Sequence, residues 1–407
     1  MKTLLYILLA IPAVVSSGYW LVSAVTTGLF LRRKPKLAAD AKISPPKVSI
    51  LKPVYGLERG AEENFRTFLE QDYPDYEVIF GVQRDDDPVL PVVKKLVGKY
   101  PGRARYVVDS HAVGPNGKIN NLVNCYRAAS GEIIVISDAD TRVGPSYLKI
   151  ITGPLADPET GAVSTLYKAA DALTIPEKLE LLSFNTEFIP NVCFASLFGF
   201  GDACLGASIA LKRAILDRIG GFEPLAHYLV EDFEMGRRIG ELGLGVSIIP
   251  YVADTTVDLA GYRTWFEHQI YWDQNTRAAK PAAFAWTILL KGIPAALLLW
   301  LVSGFQSWAL AFLGTVIGIR LLTAGIILGT LRDQTGLKAL PMLPLRDLAA
   351  LATWFLSLTR NHTTWKDRLF RLEAGKLVEV GRIPDRASAS PASSPAAPVN
   401  PAGSERA

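Results

Sequence analysis

The chain has 407 residues, 49% hydrophobic and 20% charged, which exceeds one ordinary domain and fits a soluble fold poorly. Its 43 Lys and Arg against 39 Asp and Glu leave a net charge of +4, spread without a basic block, so no nucleic-acid partner is expected. The three cysteines, Cys125, Cys193 and Cys204, are odd in number and lack metal spacing, which argues against a disulfide framework or a zinc site and for a reducing compartment.

Thr3 to Phe30 runs without a charge and ends in Leu31-Arg32-Arg33-Lys34-Pro35-Lys36. At about 1.5 Å per residue it is long enough to cross a hydrocarbon core of roughly 30 Å. Lys2 and the small residues Ser16-Ser17-Gly18 imitate a cleaved signal peptide, but the apolar run continues beyond them, so residues 1–36 read as an anchor with a basic stop. The excess of cations after the span puts the next domain on the cytoplasmic side.

Residues 45–262 alternate strand and helix signals. Val48 to Leu51, Glu77 to Val82, Arg105 to Val108, Ile133 to Ser137, Ala162 to Leu166 and Val246 to Ile249 are short apolar runs typical of strands. Helical patterns occupy Glu62 to Glu70, Leu90 to Tyr100, Lys118 to Ala129 and Glu231 to Leu242. This α/β alternation predicts a parallel sheet wrapped by helices, with ligands beyond the carboxyl ends of the strands.

Residues 263–281 read as an amphipathic interfacial segment and 282–360 as transmembrane or re-entrant helices. Ala282 to Val302 and Trp308 to Leu331 form a hairpin; Leu343 to Leu358, shorter and carrying Arg346 and Asp347, fits a re-entrant or interfacial helix by the charge rule. Lys291 and Arg320 lie inside apolar runs, where they line a lipid site, snorkel or pack together. Residues 361–384 read as a cytoplasmic segment, and the Ala-, Pro- and Ser-rich stretch 385–407 as a disordered tail.

Acid collects after the strands: Asp85-Asp86-Asp87 after the second and Asp138-Ala139-Asp140 after Ile133 to Ser137. An Asp-x-Asp at a strand end offers Mg²⁺ or Mn²⁺ two hard oxygen ligands and leaves positions for phosphate oxygens; a helix cap with a turn is the competing use. No G-x-x-x-x-G-K-[ST] loop, no G-x-G-x-x-G opening the first helix and no G-x-S-x-G elbow is present, which disfavours ATP, dinucleotide and lipid-esterase chemistry.

From about Val48 to Arg371 the assembled motifs resemble glycosyltransferase family 21, the ceramide-glucosyltransferase-like enzymes that include bacterial members acting on hopanoids. The marks are Val48-Ser49-Ile50-Leu51-Lys52-Pro53, Val82-Gln83 leading to Asp86-Asp87-Pro88, Gly117-Lys118-Ile119-Asn120-Asn121-Leu122 and Ser137-Asp138-Ala139-Asp140. Gly206-Ala207-Ser208-Ile209-Ala210, Glu231-Asp232-Phe233 and Pro344-Leu345-Arg346-Asp347-Leu348 follow in the same order. The resemblance implies a GT-A (Rossmann-like) fold, a UDP-sugar donor, a membrane-lipid acceptor, an inverting mechanism and a multi-pass protein of a bacterial inner membrane.

Carried over position by position, the first family aspartate falls on Arg84, a departure, while Asp86 and Asp87 match and take the donor-binding role. Asp138 matches the second and pairs with Asp140 on the metal; Asp232 matches the third, the expected catalytic base, although it could instead cap its helix. The closing [Gln/Arg]-x-x-Arg-Trp motif becomes His268-Gln269-Ile270-Tyr271-Trp272, where only the tryptophan is unchanged. Trp272 and His268 are assigned to the donor, with Gln269 or Arg263 as substitutes for the missing arginine. Lys118 at its helix start adds positive charge for the diphosphate, unless it is a surface lysine. Phe184, Phe188, Phe194, Phe198 and Phe200 form an apolar entrance for the acceptor, unless they are core.

The reading is therefore a hexosyltransferase placing one hexose or N-acetylhexosamine on a ceramide or hopanoid polyol. Its rivals are a processive polysaccharide synthase, which needs more spans and an intact closing motif, and a catalytically silent relative.

Overall fold

The computed structural model describes residues 2–34, 45–200, 203–365 and 368–382. After α1 (Lys2–Leu31), a strand–helix alternation supplies β1 (Val48–Pro53), α2 (Ala61–Leu69), β2 (Tyr76–Val82), α3 (Leu90–Lys99), β3 (Ala104–Val108), α4 (Gly117–Ala128) and β4 (Ile133–Ser137). Then come β5 (Thr141–Arg142), α5 (Tyr147–Thr152), β6 (Thr160–Ala170), α6 (Ile175–Ser183), a π-helical turn at Phe184–Phe188, α7 (Ile189–Leu197), β7 (Ser208–Lys212), α8 (Arg213–Arg218), α9 (Glu231–Glu241) and β8 (Gly245–Thr256).

The eight strands form one sheet in the order β3-β2-β1-β4-β7-β6-β8-β5. β1 lies parallel to both β2 and β4, so the strand order reverses there and a crevice opens at their carboxyl ends. Along these strands successive side chains alternate between two buried faces, Ile50, Val78, Phe80 and Val135 on one and Leu51, Ile79, Ile134 and Ile136 on the other. Each such fully buried side chain contributes roughly 1.5–3 kcal/mol.

The sheet is not wholly parallel, contrary to the sequence expectation: β7 runs antiparallel to β4 and β6. The consequence is local. β4 ends where β7 begins, Ser137 opposite Ser208, so the segment before β7 meets Asp138, whose N–H donates to Ala207 O at 3.2 Å.

The C-terminal part contains α10 (Tyr262–Ala279), α11 (Pro281–Trp286), α12 (Gly292–Val302), α13 (Ser307–Thr330), α14 (Gln334–Ala339) and α15 (Leu343–Thr359). Among the described residues three helical stretches are long and apolar enough to cross a membrane, Lys2–Leu31, Ser307–Thr330 and Gln334–Thr359; a pair bent by 50°, Pro281–Leu290 with Gly292–Val302, makes a fourth if it is one span. The third stretch exceeds the short re-entrant segment expected from sequence. Pro341 and Pro344 stand in the first turns of a 3₁₀ turn and of α15, where no backbone N–H is needed. The bend at Lys291 brings Gly292 against α1 so tightly that a Cβ would lie 2.6 Å from Ser16 Cβ.

Lys291 and Arg320 neither face lipid nor snorkel. Lys291 lies 3.5 Å from Glu187, and Arg320 donates to Asp347 at 3.0 Å and stacks 4.0 Å over Trp20. Together with Arg346 they form a buried ionic cluster, in which breaking any pair strands a charge.

Within the segment read from sequence as cytoplasmic, β9 (His362–Trp365), β10 (Arg368–Glu373) and β11 (Lys376–Arg382) form an antiparallel sheet. The tail expected from Asp385 onward, with Pro35 and Lys36 of the basic stop, lies outside the described residues.

Candidate active site

Asn116 organises the first half of the site. It caps α4 by accepting from Ile119 N at 3.2 Å, and its side-chain amide donates to Tyr228 O at 3.1 Å and to Glu231 at 3.3 Å. The next turn of α4 delivers Lys118, whose Nζ lies 2.7 Å from Asp138 Oδ1 and 3.0 Å from Glu231 Oε1 and donates to Gly206 O at 3.2 Å. One ammonium thus joins the end of β4, the start of α9 and the approach to β7. Burial opposes its charge, but Asp138 and Glu231 outweigh that and hold Lys118 well above its ordinary pKa. It is no surface lysine.

Asp138, Asp140 and Asp232, far apart in sequence, line the same cavity of about 1030 Å³ with Lys118 and Glu231. Asp140 is pushed up to about 7 by burial and by the like charges of Asp138 and Glu58, against the pull of Lys52 and Lys118. Lys52, fully buried at the end of β1, donates to Asp138 O at 2.5 Å and sits 3.8 Å over the Phe68 ring. Burial lowers it to about 7 despite Asp140 and Asp138. Neither Glu58 nor Lys52 was singled out for a role from sequence; Lys52 stood there only as part of a motif.

Asp232 lies in the first turn of α9 rather than before it, and its Oδ1 accepts from the neighbouring Phe233 N at 2.7 Å. Burial and Glu231 push its carboxyl up to about 7, against Lys118. A carboxyl so tuned can accept a proton near neutral pH.

Asp86 and Asp87 do not line the cavity, which corrects the donor role expected for them. Asp87 is buried with its oxygens accepting from Gly56 N and Val89 N, each at 3.0 Å, so it ties the loop after β1 to the loop after β2. Asp86 pairs with Arg84 at the surface, 2.6 Å apart. Arg84 itself reaches the cavity lining.

His268 and Trp272 of α10 both line the cavity, with Tyr271 between them stacked on His268 at 6.0 Å and 8°. Trp272 meets Phe184 edge-on at 5.1 Å. Arg263 is 82% exposed and paired with Glu267, while Gln269 is buried against Glu180, so neither substitute offers itself to the cavity. Of the phenylalanines, Phe184, Phe188 and Phe200 line the cavity; Phe194 packs on Tyr19 of α1 at 5.2 Å and on Phe198 at 4.7 Å, and Phe198 and Phe200 stay exposed.

The mixed sheet with its acidic carboxyl edge is a GT-A fold of the glycosyltransferase type. It is similar to the solved mannosyltransferase PcManGT from Pyrobaculum calidifontis in complex with GDP-Man and Mn²⁺, with a TM-score of 0.53 and 21% identity over 88% of this chain and 99% of that one. The chain belongs to glycosyl transferase family 21, whose sequence pattern matches residues 6–378. Among curated relatives it is 26% identical to ceramide glucosyltransferase 1 of Caenorhabditis elegans over 51% of this chain and 45% of the relative. It is 29% identical to ceramide glucosyltransferase 3 of the same organism over 54% and 47%. The chain therefore spans about half the length of these relatives.

Proposed function

We infer that the protein is a membrane-bound glycosyltransferase that moves one hexose or N-acetylhexosamine from a UDP-sugar to a hydroxyl of a membrane lipid, of ceramide or hopanoid type, with inversion at the sugar carbon. The observation that carries this reading is the meeting of Asp138, Asp140, Lys118 and Asp232 in one cavity that is also lined by the apolar side chains of Phe188, Val192, Phe200 and Ala283. Polar donor chemistry and a lipid tail find their surfaces in one continuous space. Cations after α1, Arg32 to Lys34, favour a cytoplasmic position for the domain.

Asp138 and Asp140 fit a divalent cation. Burial first, and then the like charge of Asp138, raise the Asp140 carboxyl, and a cation would offset both. Among the described residues no group of three His, Cys, Asp or Glu is arranged to hold a metal, so an ion held by Asp138 and Asp140 would take its other ligands from water and phosphate oxygens, as suits Mg²⁺ or Mn²⁺. When bound, such an ion supplies Lewis-acid neutralisation of a diphosphate.

The chain's own residues divide the rest of the work. Lys118 contributes fixed positive charge beside Asp138, and Trp272 with Phe184 forms an aromatic surface for the donor. Asp232 takes the acceptor hydroxyl proton onto its carboxylate as that oxygen bonds to the sugar carbon, on the face opposite the departing diphosphate. Glu231 is held by Lys118 and Asn116 and orients the start of α9.

The test is a transfer assay with detergent-purified protein, UDP-glucose or UDP-N-acetylglucosamine, Mn²⁺ and each lipid, read by mass spectrometry. One sugar on an extractable lipid supports the reading, a ladder of sugars indicates a polymerase, and absence of both UDP binding and turnover defeats it. A polar substitution at Phe200, which lines the cavity and is exposed, is expected to raise the acceptor KM while leaving donor hydrolysis unchanged.

A further inference from the structure

A hydrogen-bond chain runs from the apolar helix bundle to the cavity. Arg346 of α15 pairs with Glu187 and with Asp347 at 3.0 Å, and its Nε donates to Ser183 Oγ at 2.8 Å. Ser183 donates to Gln269 Oε1 at 2.9 Å, and Gln269 Nε2 donates to Glu180 Oε2 at 2.6 Å. The other Glu180 oxygen receives His268 Nδ1–H at 2.8 Å. Glu180, Ser183, Gln269 and Arg346 are all buried, Glu180 to 1% exposure, whereas the His268 side chain keeps 37% of its surface open on the cavity side.

Chemistry decides what this chain is for. A carboxylate as buried as Glu180 needs a counter-charge in contact. Among the described residues His268 is the titratable group in contact with it, and Arg346 is linked to it through Ser183 and Gln269. On the cavity side, Lys118 is engaged by Asp138 and Glu231, Arg84 pairs with Asp86, Arg368 pairs with Glu379, Lys280 lies over the Phe233 ring, Arg263 is at the surface, and Tyr271 stays neutral because burial and Glu231 push its phenol to about 12. Resting on the donor assignment above, we propose that His268, held through Nδ1 by Glu180, presents Nε2 as the cation that meets the leaving diphosphate, and that Glu180 is its positioning residue, braced from the bundle by Arg346, Ser183 and Gln269. As the sugar–oxygen bond breaks, its electron pair passes to the diphosphate oxygen, and His268 Nε2–H donates a hydrogen bond to that anion.

The groups acting on His268 agree with this role. Burial alone lowers its proton affinity, but Glu180 from α6, with a smaller pull from Asp140, raises it above the ordinary histidine value; Tyr271 and Trp272 contribute ring faces. The pairing explains why the chain dispenses with an arginine on α10 at this point. The charged form of the histidine is favoured by a carboxylate that sequence spacing does not connect to it.

The test reads the imidazole directly. In the full chain in micelles, ¹³C-labelled His111, His227, His268 and His362 give four resonances, with His268 assigned through His268→Gln. Glu180→Gln lowers the His268 midpoint by about one pH unit or more. UDP with Mn²⁺ raises that midpoint in the unaltered protein. In turnover, Glu180→Gln costs roughly 10- to 100-fold and moves the alkaline limb of the pH profile to lower pH. Ser183→Ala, which cuts the brace and keeps every charge, lowers kcat with a smaller change in the midpoint. A His268 midpoint unmoved by Glu180→Gln overturns the pairing, and one unmoved by bound UDP overturns the diphosphate role. Failure of the unaltered chain to bind UDP at all defeats the donor assignment instead, which keeps the two failures apart.

Discussion

Gly206 faces Asp232 so closely that a Cβ on the glycine would lie 3.0 Å from Asp232 Oδ2 and 3.4 Å from Lys118 Nζ. Its backbone φ is ordinary, so the glycine is there for space, not for a turn. Gly206→Ala is therefore expected to leave thermal unfolding within a few degrees of the parent and to displace the Asp232 carboxylate by tenths of an ångström. Reactions that depend on such placement lose about tenfold or more in kcat. Thermal scanning beside a turnover assay separates the two effects, and an unchanged kcat would mean that Asp232 is not at the reaction centre.

Asp232→Asn keeps the hydrogen bond from Phe233 N but removes the proton acceptor. A loss of about 10² to 10⁴ in kcat is expected, with UDP binding by titration calorimetry largely retained. The raised carboxyl also fixes a sign. Asp232 is protonated, hence inactive as a base, below about pH 7, so kcat/KM climbs with pH through that value. His268, raised above its ordinary value by Glu180, sets the alkaline decline. Asn at position 232 removes the acidic limb from whatever activity remains.

Lys118→Met strips the counter-charge from Asp138 and Glu231 at once. Because the side chain is 18% exposed, the stability cost falls below that of a fully buried pair, up to about 3 kcal/mol. Turnover falls by about a hundredfold, since the positive charge at the diphosphate end is lost. Lys118→Arg restores charge but not the compact geometry, so partial recovery is expected in both unfolding temperature and kcat.

Much of this site was legible before any coordinates. Ile133 to Ile136 reads as a buried strand, so Asp138 and Asp140 had to sit at its rim, and the start of α4 places Lys118 at a helix N-terminus. What failed was whatever needs a partner distant in sequence. Asp86 and Asp87 share composition with a ligand-binding turn, yet Asp87 is consumed by Gly56 N, a backbone group that no pattern announces. Glu180 and His268 stand 88 positions apart, and nothing in either local sequence signals the bond. β10 and β11 carry charges among short apolar residues, and only the packing of Phe370 and Leu377 on Leu229 reveals their inner face.

That small sheet leads to the last expectation. The loop entering α9 is gripped from two sides: Asn116 donates to Tyr228 O at 3.1 Å, while Leu229 N donates to Gly375 O at 3.1 Å and Leu377 N donates to His227 O at 2.7 Å. Phe370, fully buried among Leu229, Leu377 and Tyr271, fastens the sheet to that loop. Removing such a ring costs about 3–5 kcal/mol where the structure cannot collapse, which is enough to free three short strands without unfolding the large sheet. Phe370→Ala should therefore expose residues 361–382 to protease first and lower kcat through a looser Asp232, with the main thermal transition little moved. Phe370→Leu keeps an apolar plug and most of the activity. If protease sensitivity rises while kcat holds, the sheet is a cover and does not position the base.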